Sequence, residues 1–424
     1  MQKYQSWEDP RCEILKALYK ARPMSRKLCL TCKGGRLLCG RPSCPLLARV
    51  KIQSPLEGQL KEELFGPSPS IFVGWKGYPK VFIGPLTSLQ TENSALLDDP
   101  SMWYGMGFND IIRMRSLLVR SKLRQGVRAR TKLVEESQEV ALSITPVDTE
   151  VRFERKPSYG MSFTSISQPL GPSGILKDLK VADNPKIPKK VDSIIEDEFR
   201  ASDATLELYR SGFDVYYLSR VLSSGALGVK ENRKLVPTRW SITAIDDILG
   251  KGLTEEIRDL PEVTDYMVYR NTYLYNHFEV LLMPRKWEYE QFEAWAPDTL
   301  WTMAYDKPAI NQENEGYWGR KDYALKEGGG YYACRLAVLE ALQRMRRQAG
   351  VVVFREIYEG YVMPVGVWEV RENVRKAMAN PPSKFASLEE ALEDIAKGLK
   401  IPLKEYLDRS NILRQLRLEE FLKV

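Results

Sequence analysis

The chain has 424 residues, 43% of them hydrophobic and 28% charged, which is enough for a large core divided over roughly two or three domains. No apolar run approaches the ~18 residues that span a bilayer, and the opening M-Q-K-Y-Q-S-W-E-D-P carries no signal-peptide core, so an intracellular, cytoplasmic protein is expected. The formal net charge of +7 is unevenly spread, with eleven Lys or Arg against one acid from Arg11 to Lys51 and eight bases without an acid from Arg113 to Lys132. Such blocks attract phosphate-rich partners.

In chain order, W-E-D-P-R-C-E-I-L-K-A-L-Y-K-A-R-P reads as a short helix ended by Pro23. Ser68 to Leu86 reads as two strands joined at Lys76-Gly77. Asn109 to Val134 has a helical pattern, with Ile111, Ile112, Met114, Leu117, Leu118 and Leu123 on its apolar face. The alternation of E-V-A-L-S-I-T-P-V-D-T-E-V-R-F-E-R is strand-like, and residues 156–190, rich in Pro, Gly, Ser and Lys, read as a long surface loop or linker. A helix over about Asp192 to Ser211 follows, then a strand through Y-N-H-F-E-V-L-L-M that turns at Pro284. Tyr331 to Gln348 is helical, G-V-V-V-F-R-E-I-Y-E-G-Y-V-M-P-V-G-V-W-E-V reads as strand, turn, strand, and Ser387 to Gly398 is a helix with a capping box from Ser387 and Glu390. The fold class expected is α+β, a mixed sheet with flanking helices, plus a small N-terminal four-cysteine module and a flexible C-terminal peptide. The corresponding regions are 1–55, 56–190, 191–400 and 405–424.

Four of the six cysteines, Cys29, Cys32, Cys39 and Cys44, crowd into sixteen residues of a glycine-bearing loop. The C-x2-C knuckle with two further thiols close behind suits tetrahedral zinc, and four cysteines leave no open coordination position, so a structural zinc is expected. Cys12 and Cys334 read as core thiols.

Four polar stretches could carry chemistry. K-E-N-R-K-L-V-P-T-R-W-S-I-T brings Lys230, Asn232, Arg233, Lys234 and Arg239, followed by Asp246 and Asp247, a set suited to gripping phosphate oxygens, although an exposed basic turn and a helix start would look the same. F-V-G-W-K-G-Y-P-K-V-F-I-G-P-L has glycines that could bring backbone N–H groups near a ligand, or simply serve a hairpin. E-G-G-G-Y-Y-A-C-R opens a helix bearing Arg335 and resembles an anion site. The single histidine, His277, stands two residues from Glu279, which puts the two on one face of a strand.

Near the C-terminus, Gln415, Leu418, Phe421 and Leu422 stand at the spacing Q-x-x-h-x-x-a-a. This string resembles the PCNA-interacting peptide, in which one turn of apolar side chains plugs a pocket of the sliding clamp. Together with the four-cysteine module, F-V-G-W-K-G-Y-P-K-V-F-I-G-P, D-D-P-S-M-W, K-E-N-R-K-L-V-P-T-R-W-S-I-T, F-E-V-L-L-M-P-R-K-W and G-G-G-Y-Y-A-C-R, it makes the chain resemble the archaeal Nre family of DNA-repair-associated proteins over nearly its whole length. The resemblance implies a DNA damage response or repair protein, recruited to the PCNA sliding clamp and contacting DNA or a nucleotide near the nucleoid.

An alternative function is a phosphohydrolase, either a nuclease or a phosphatase of a nucleotide or ADP-ribose-like compound, built on the Lys230–Asp247 cluster. There Lys230, Asn232, Arg233, Lys234 and Arg335 would hold phosphate, while Arg239, Asp246, Asp247, His277 and Glu279 would act at the reacting centre, with a second divalent metal as one option.

Overall fold

The computed structural model of the chain describes residues 31–39, 44–160, 169–297, 299, 302 and 307–414. The opening helix expected before Pro23, Cys29 and the Gln415–Leu422 box lie outside the described residues. What is described falls into two compact units, the first from residues 44–160 and 169–252, the second from 31–39 and from 253 onward.

The first unit is built on a six-stranded sheet in the order β1-β5-β6-β4-β3-β2. Its strands are β1 (Glu63–Ser68), β2 (Ile71–Val73), β3 (Lys80–Ser88), β4 (Leu118–Gly126), β5 (Val147–Phe153) and β6 (Ser173–Val181). Only β4 and β6 run parallel among these neighbours. The helices are α1 (Pro45–Gln53), α2 (Phe108–Ser116), α3 (Lys132–Leu142), α4 (Lys189–Glu196), α5 (Ala201–Arg210), α6 (Val215–Ser223) and α7 (Thr238–Ile257), and the boundary between the units falls inside α7. One core cluster joins Val81 and Ile83 of β3 to Val134, Val140 and Ala141 of α3, and another joins Val119, Val151, Phe153, Leu176 and Leu179 across β4, β5 and β6.

Three sequence expectations fail here for identifiable reasons. The helix expected over Asn109 to Val134 stops at Ser116, and β4 begins two residues later. A β-branched Val119 and an alternation of buried Val119 and Ser121 with less buried Arg120 and Lys122 mark a strand, which an averaged helical pattern hides. The linker expected at 156–190 contains β6, because a strand between β4 and β5 needs few large apolar residues when Leu176 and Leu179 already meet the core. The helix expected over Asp192 to Ser211 is two, α4 and α5, broken where Glu198 takes a φ of 56°.

The second unit has its own six-stranded sheet, order β10-β9-β11-β8-β7-β12. Here β7 is Tyr266–Tyr273, β8 Asn276–Met283, β9 Glu288–Trp295, β10 Ala309–Glu315, β11 Gly350–Ile357 and β12 Ser383–Phe385. Its helices are α8 (Gly329–Met345), α9 (Trp368–Ala379), α10 (Leu388–Gly398) and α11 (Leu403–Leu407). Every residue of β8 and β11 is buried, as central strands require. The second strand expected after Gly360 is loop followed by α9. Ser387 caps α10 by accepting from Glu390 N–H at 3.2 Å, as the capping pattern predicts, while the Glu390 carboxylate reaches back to Ala386 N–H. The two mixed sheets with flanking helices are the α+β class read from the sequence. No described helix is long and apolar enough to cross a membrane.

Candidate functional site

Two motifs about 160 residues apart in sequence meet in the first unit. The hairpin between β2 and β3 carries Trp75, Lys76, Gly77 and Tyr78, and α7 begins at Thr238 on the P-T-R-W motif. Thr238 Oγ1 accepts a hydrogen bond from Val73 N–H at 2.9 Å, fixing the helix start against the hairpin. One residue on, the Arg239 guanidinium stacks over the Trp75 ring with 5.5 Å to its centroid, and Trp240 packs on Tyr78 at 5.1 Å. The P-T-R-W run thus leads into the first turn of a helix, in which Ser241 is fully buried and Arg239 is exposed. Trp75 and Tyr78 nevertheless each keep 40% of their surface exposed beside this cation.

Strand β4 supplies further cations to this place. Alternation puts Val119, Ser121 and Leu123 toward the buried side and Arg120, Lys122 and Arg124 toward the other. Gly77, at φ 84°, has no Cβ, and one built there would come within 3.1 Å of Arg124 Nη2, so the glycine lets the Arg124 guanidinium approach the hairpin turn. Arg120 lies over the Phe72 ring and Lys122 Nζ donates to Ser173 Oγ at 2.7 Å. Burial, then the positive charges of Arg115 and Arg49, press the Arg120 guanidinium down to about 10. Burial, then Arg120 and Lys76, lower the Lys122 ammonium as well. Among the described residues Arg120, Lys122, Arg124 and Lys76 have no carboxylate within ion-pair reach, and Arg120 Nε is buried without a hydrogen-bond partner. Like charges gathered without counterions are stabilised by an anion, and exposed aromatic rings beside them can stack on bases.

The other residues singled out by sequence take different places. Arg233 is tied into the fold, donating to Gly228 O at 2.7 Å and to Ile195 O. Lys230 pairs with Glu198 at 3.4 Å, Asn232 is exposed, and Lys234 is half-buried. Asp246 is completely buried within α7, and Asp247 holds Lys251 at 2.7 Å one turn on. His277, Glu279 and Arg335 belong to the second unit, so the residues expected to act together on a phosphoester divide between two units.

Comparison with known proteins now decides the family. The model described as "Archaeal Nre, N-terminal" matches residues 38–302, and that described as "Archaeal Nre, C-terminal" matches 315–423. The chain belongs to the archaeal Nre family. It is 39% identical to "DNA repair protein NreA" of Archaeoglobus fulgidus over 93% of this chain and 98% of that relative. It is equally 39% identical to "DNA repair protein NreB" of the same organism, over 93% of this chain and all of that relative, 100%. A third relative, "DNA repair protein NreA" of Haloferax volcanii, is 36% identical over 84% of this chain and 87% of its own. No solved structure matches the chain.

In the second unit of this Nre chain, His277 and Glu279 share a face of β8, as their spacing implies. His277 Nδ1 lies 2.7 Å from Thr272 Oγ1 and Nε2 lies 3.1 Å from Glu279 Oε1, so both ring nitrogens are occupied. Arg270 Nε holds both Glu279 oxygens at 3.1 Å and its Nη2 holds Asp394 of α10, which ties the helix to the sheet. Arg335 is buried in α8 with its Nη1 2.6 Å from Glu315 Oε2, and its guanidinium faces Tyr331 and Tyr332. Cys334 is fully buried, and burial pushes its thiol up to about 12.

Sequence reading of the Nre chain missed a buried ionic group in that unit. The Arg355 side chain donates to Asn276 Oδ1 at 3.1 and 2.7 Å and to Glu293 Oε2 at 2.5 Å, with Glu369 Oε2 3.7 Å away. Glu369 has one carboxylate oxygen on Asn373 Nδ2 at 2.9 Å and the other without a hydrogen bond, and burial raises it to about 7. Glu327, just before α8, is buried with both oxygens unpartnered, and burial first, then Glu293 and Glu313, raise it well above the usual carboxylate range. The signal available in sequence was weak, since Glu and Arg alternating with apolar residues in strands look like solvated faces. Also missed was Trp318, 81% exposed, against which Arg258 stacks at 5.2 Å.

In the cysteine loop, the backbone N–H of Leu38, then those of Gly34, Arg36 and Leu37, hold the Cys32 thiol below its ordinary range. Positive φ at Lys33, Gly34 and Leu37 turns those groups toward the sulfur. Cys32 is buried, and Cys39 and Cys44 are half-buried. No group of three or more metal-ligating side chains is assembled among the described residues, which do not include Cys29.

Proposed function

We propose that this chain works in DNA repair, holding nucleic-acid phosphates on the Arg120–Lys122–Arg124 row with Lys76 and Arg239, and stacking exposed bases on Trp75 and Tyr78. The carrying observation is the row itself: Arg120, Lys122 and Arg124 on one side of β4 beside Lys76, with Arg120 and Lys122 lowered first by burial and then by neighbouring cations, and with no described carboxylate to neutralise them. The names of the relatives, DNA repair proteins NreA and NreB, support the same reading. Phosphate contacts of this kind release counterions, so binding weakens steeply with salt. Removing Lys122 and Arg124 together, as K122A/R124A, lowers the slope of log K against log[salt] by about 2 and weakens binding to all sequences alike. Lys180→Ala, on an exposed ion pair with Glu150, serves as control. A double variant with the wild-type slope would refute the phosphate row.

The C-terminal box assigns the partner in this reading. Leu418, Phe421 and Leu422, with Gln415 before them, would dock on the PCNA sliding clamp and bring the cation row to replicating or damaged DNA. Pull-down with purified clamp is expected to succeed with the full chain and fail with Phe421→Ala, while the two unfold at the same temperature. Equal capture by both removes the clamp from this account.

Zinc belongs to the same proposal. A thiol already lowered by converging N–H groups is a ready thiolate ligand, and Cys29, Cys32, Cys39 and Cys44 supply a complete tetrahedral set that would hold the ion as a structural element. Elemental analysis of the purified chain is expected to find about one zinc per molecule, and Cys32→Ser to lose it. A metal-free wild-type protein that keeps its fold rules the ion out.

A further inference from the structure

Helices α10 and α11 leave an open apolar groove between them, about 480 Å³, lined by Leu388, Leu392, Ala396, Leu403 and Leu407 with Glu389 and Glu393 at its rim. Its walls are not surplus. Leu388, Leu392 and Leu403 also pack on the core that centres on Phe292, Phe354 and Tyr406. The groove is therefore the outer side of a rigid layer, and its apolar surface stays in contact with water unless something covers it.

The last described residues come close to one end of this groove. Ser410 and Asn411 are anchored on Glu290, with Asn411 N–H 2.7 Å from Glu290 Oε1, and Ile412 is buried. Arg414 Nη1 then donates to Asp408 O at 2.9 Å, one residue from Leu407 of the groove wall. Ten residues follow, Gln415 to Val424, and Leu418, Phe421 and Leu422 lie four, seven and eight positions beyond Arg414. As helix that segment carries Phe421 about 11 Å from Arg414, and as extended chain about 23 Å. Helix α10 runs about 12 Å from Leu388 to Ala396. The segment is thus long enough to run the length of the α10 wall, and its apolar triplet matches the apolar character of that wall.

We infer that the groove between α10 and α11 holds the chain's own C-terminal segment, Gln415–Val424, with Leu418, Phe421 and Leu422 seated among Leu392, Ala396, Leu403 and Leu407. The occupant is the same molecule, because the segment continues from Arg414, which is held next to Leu407 of the wall, and no intermolecular search is needed. Where the clamp reading also holds, the consequence is a competition: the side chains that would plug the clamp are sheltered until the clamp draws them out.

Hydrogen exchange of the full chain, in the absence of any clamp, tests the docking by itself. In the wild type the amides of Leu388–Gly398 and Leu403–Leu407 are expected to exchange roughly tenfold more slowly than in the Leu418→Asp/Phe421→Asp variant, whose changes lie outside the two helices. Equal exchange in the two overturns the inference. Protection that grows with protein concentration assigns the groove to the tail of a second copy, and overturns docking within one molecule. Because no clamp is present, this outcome is independent of clamp binding; a chain that protects its groove and yet never binds the clamp leaves the inference standing and removes only the clamp reading.

Discussion

Glu369 shows how much a single buried carboxyl can ask of its surroundings. It sits at zero exposure on α9, and burial raises it to about 7 despite the nearby Arg355 and the Asn373 hydrogen bond. The native state therefore holds this proton more tightly than the unfolded chain does. The associated stability is fully present below the ordinary Glu value, near pH 4–5, and is lost as pH rises through about 7. It is on the order of 3 kcal/mol. Melting temperatures from pH 5 to 8 are expected to fall more steeply in the wild type than in Glu369→Gln, which cannot ionise; parallel curves would show that Glu369 is not the titrating group. Glu327 and Glu290 are shifted in the same direction and titrate in both proteins, so the difference between the curves isolates the one residue. None of this was legible in sequence, because a carboxyl's environment is set by which strands and helices close over it. His277 was legible in part: the i, i+2 spacing put Glu279 on its face, but Thr272, which occupies the other nitrogen, comes from the neighbouring strand β7.

At the scale of elements, β4 carries the functional argument. As a helix, the basic stretch from Arg113 to Lys132 would scatter its cations around a cylinder; as helix, strand and loop it sorts them. Arg115 falls on α2 and pairs with Asp98, while Arg120, Lys122 and Arg124 fall on one side of a strand. Alternation is what makes K122A/R124A a sharper test than any pair chosen from the run by charge alone. Only Leu118, Val119 and Ser121 of β4 are buried, so its period-2 signal was too weak to separate from the helix beside it. The same limitation hid β6 in a segment whose composition reads as loop. Elements with stronger local signals were readable: α8, the β2–β3 hairpin and the capped start of α10 all stand where pattern and capping chemistry put them.

For the molecule as a whole, the sequence by itself determined the α+β class, because apolar periods of two and of 3.6 are both present, and membership of the Nre family, because its motifs run through nearly the full length. It also determined the four-cysteine spacing and the C-terminal box, local patterns that need no folded partner to be recognised. Tertiary structure alone decided which motifs meet. The hairpin at Trp75 and the helix start at Arg239 converge on the β4 cations in one unit, whereas Asp247 and His277, only thirty residues apart in sequence, belong to different units. It also decided that Arg414, the last described residue, is held at Asp408, next to a wall residue of an apolar groove. The physical reason is the same in each case: periodicity reports which face of an element is buried, but the partner that buries it comes from elsewhere in the chain, at a distance no local pattern encodes.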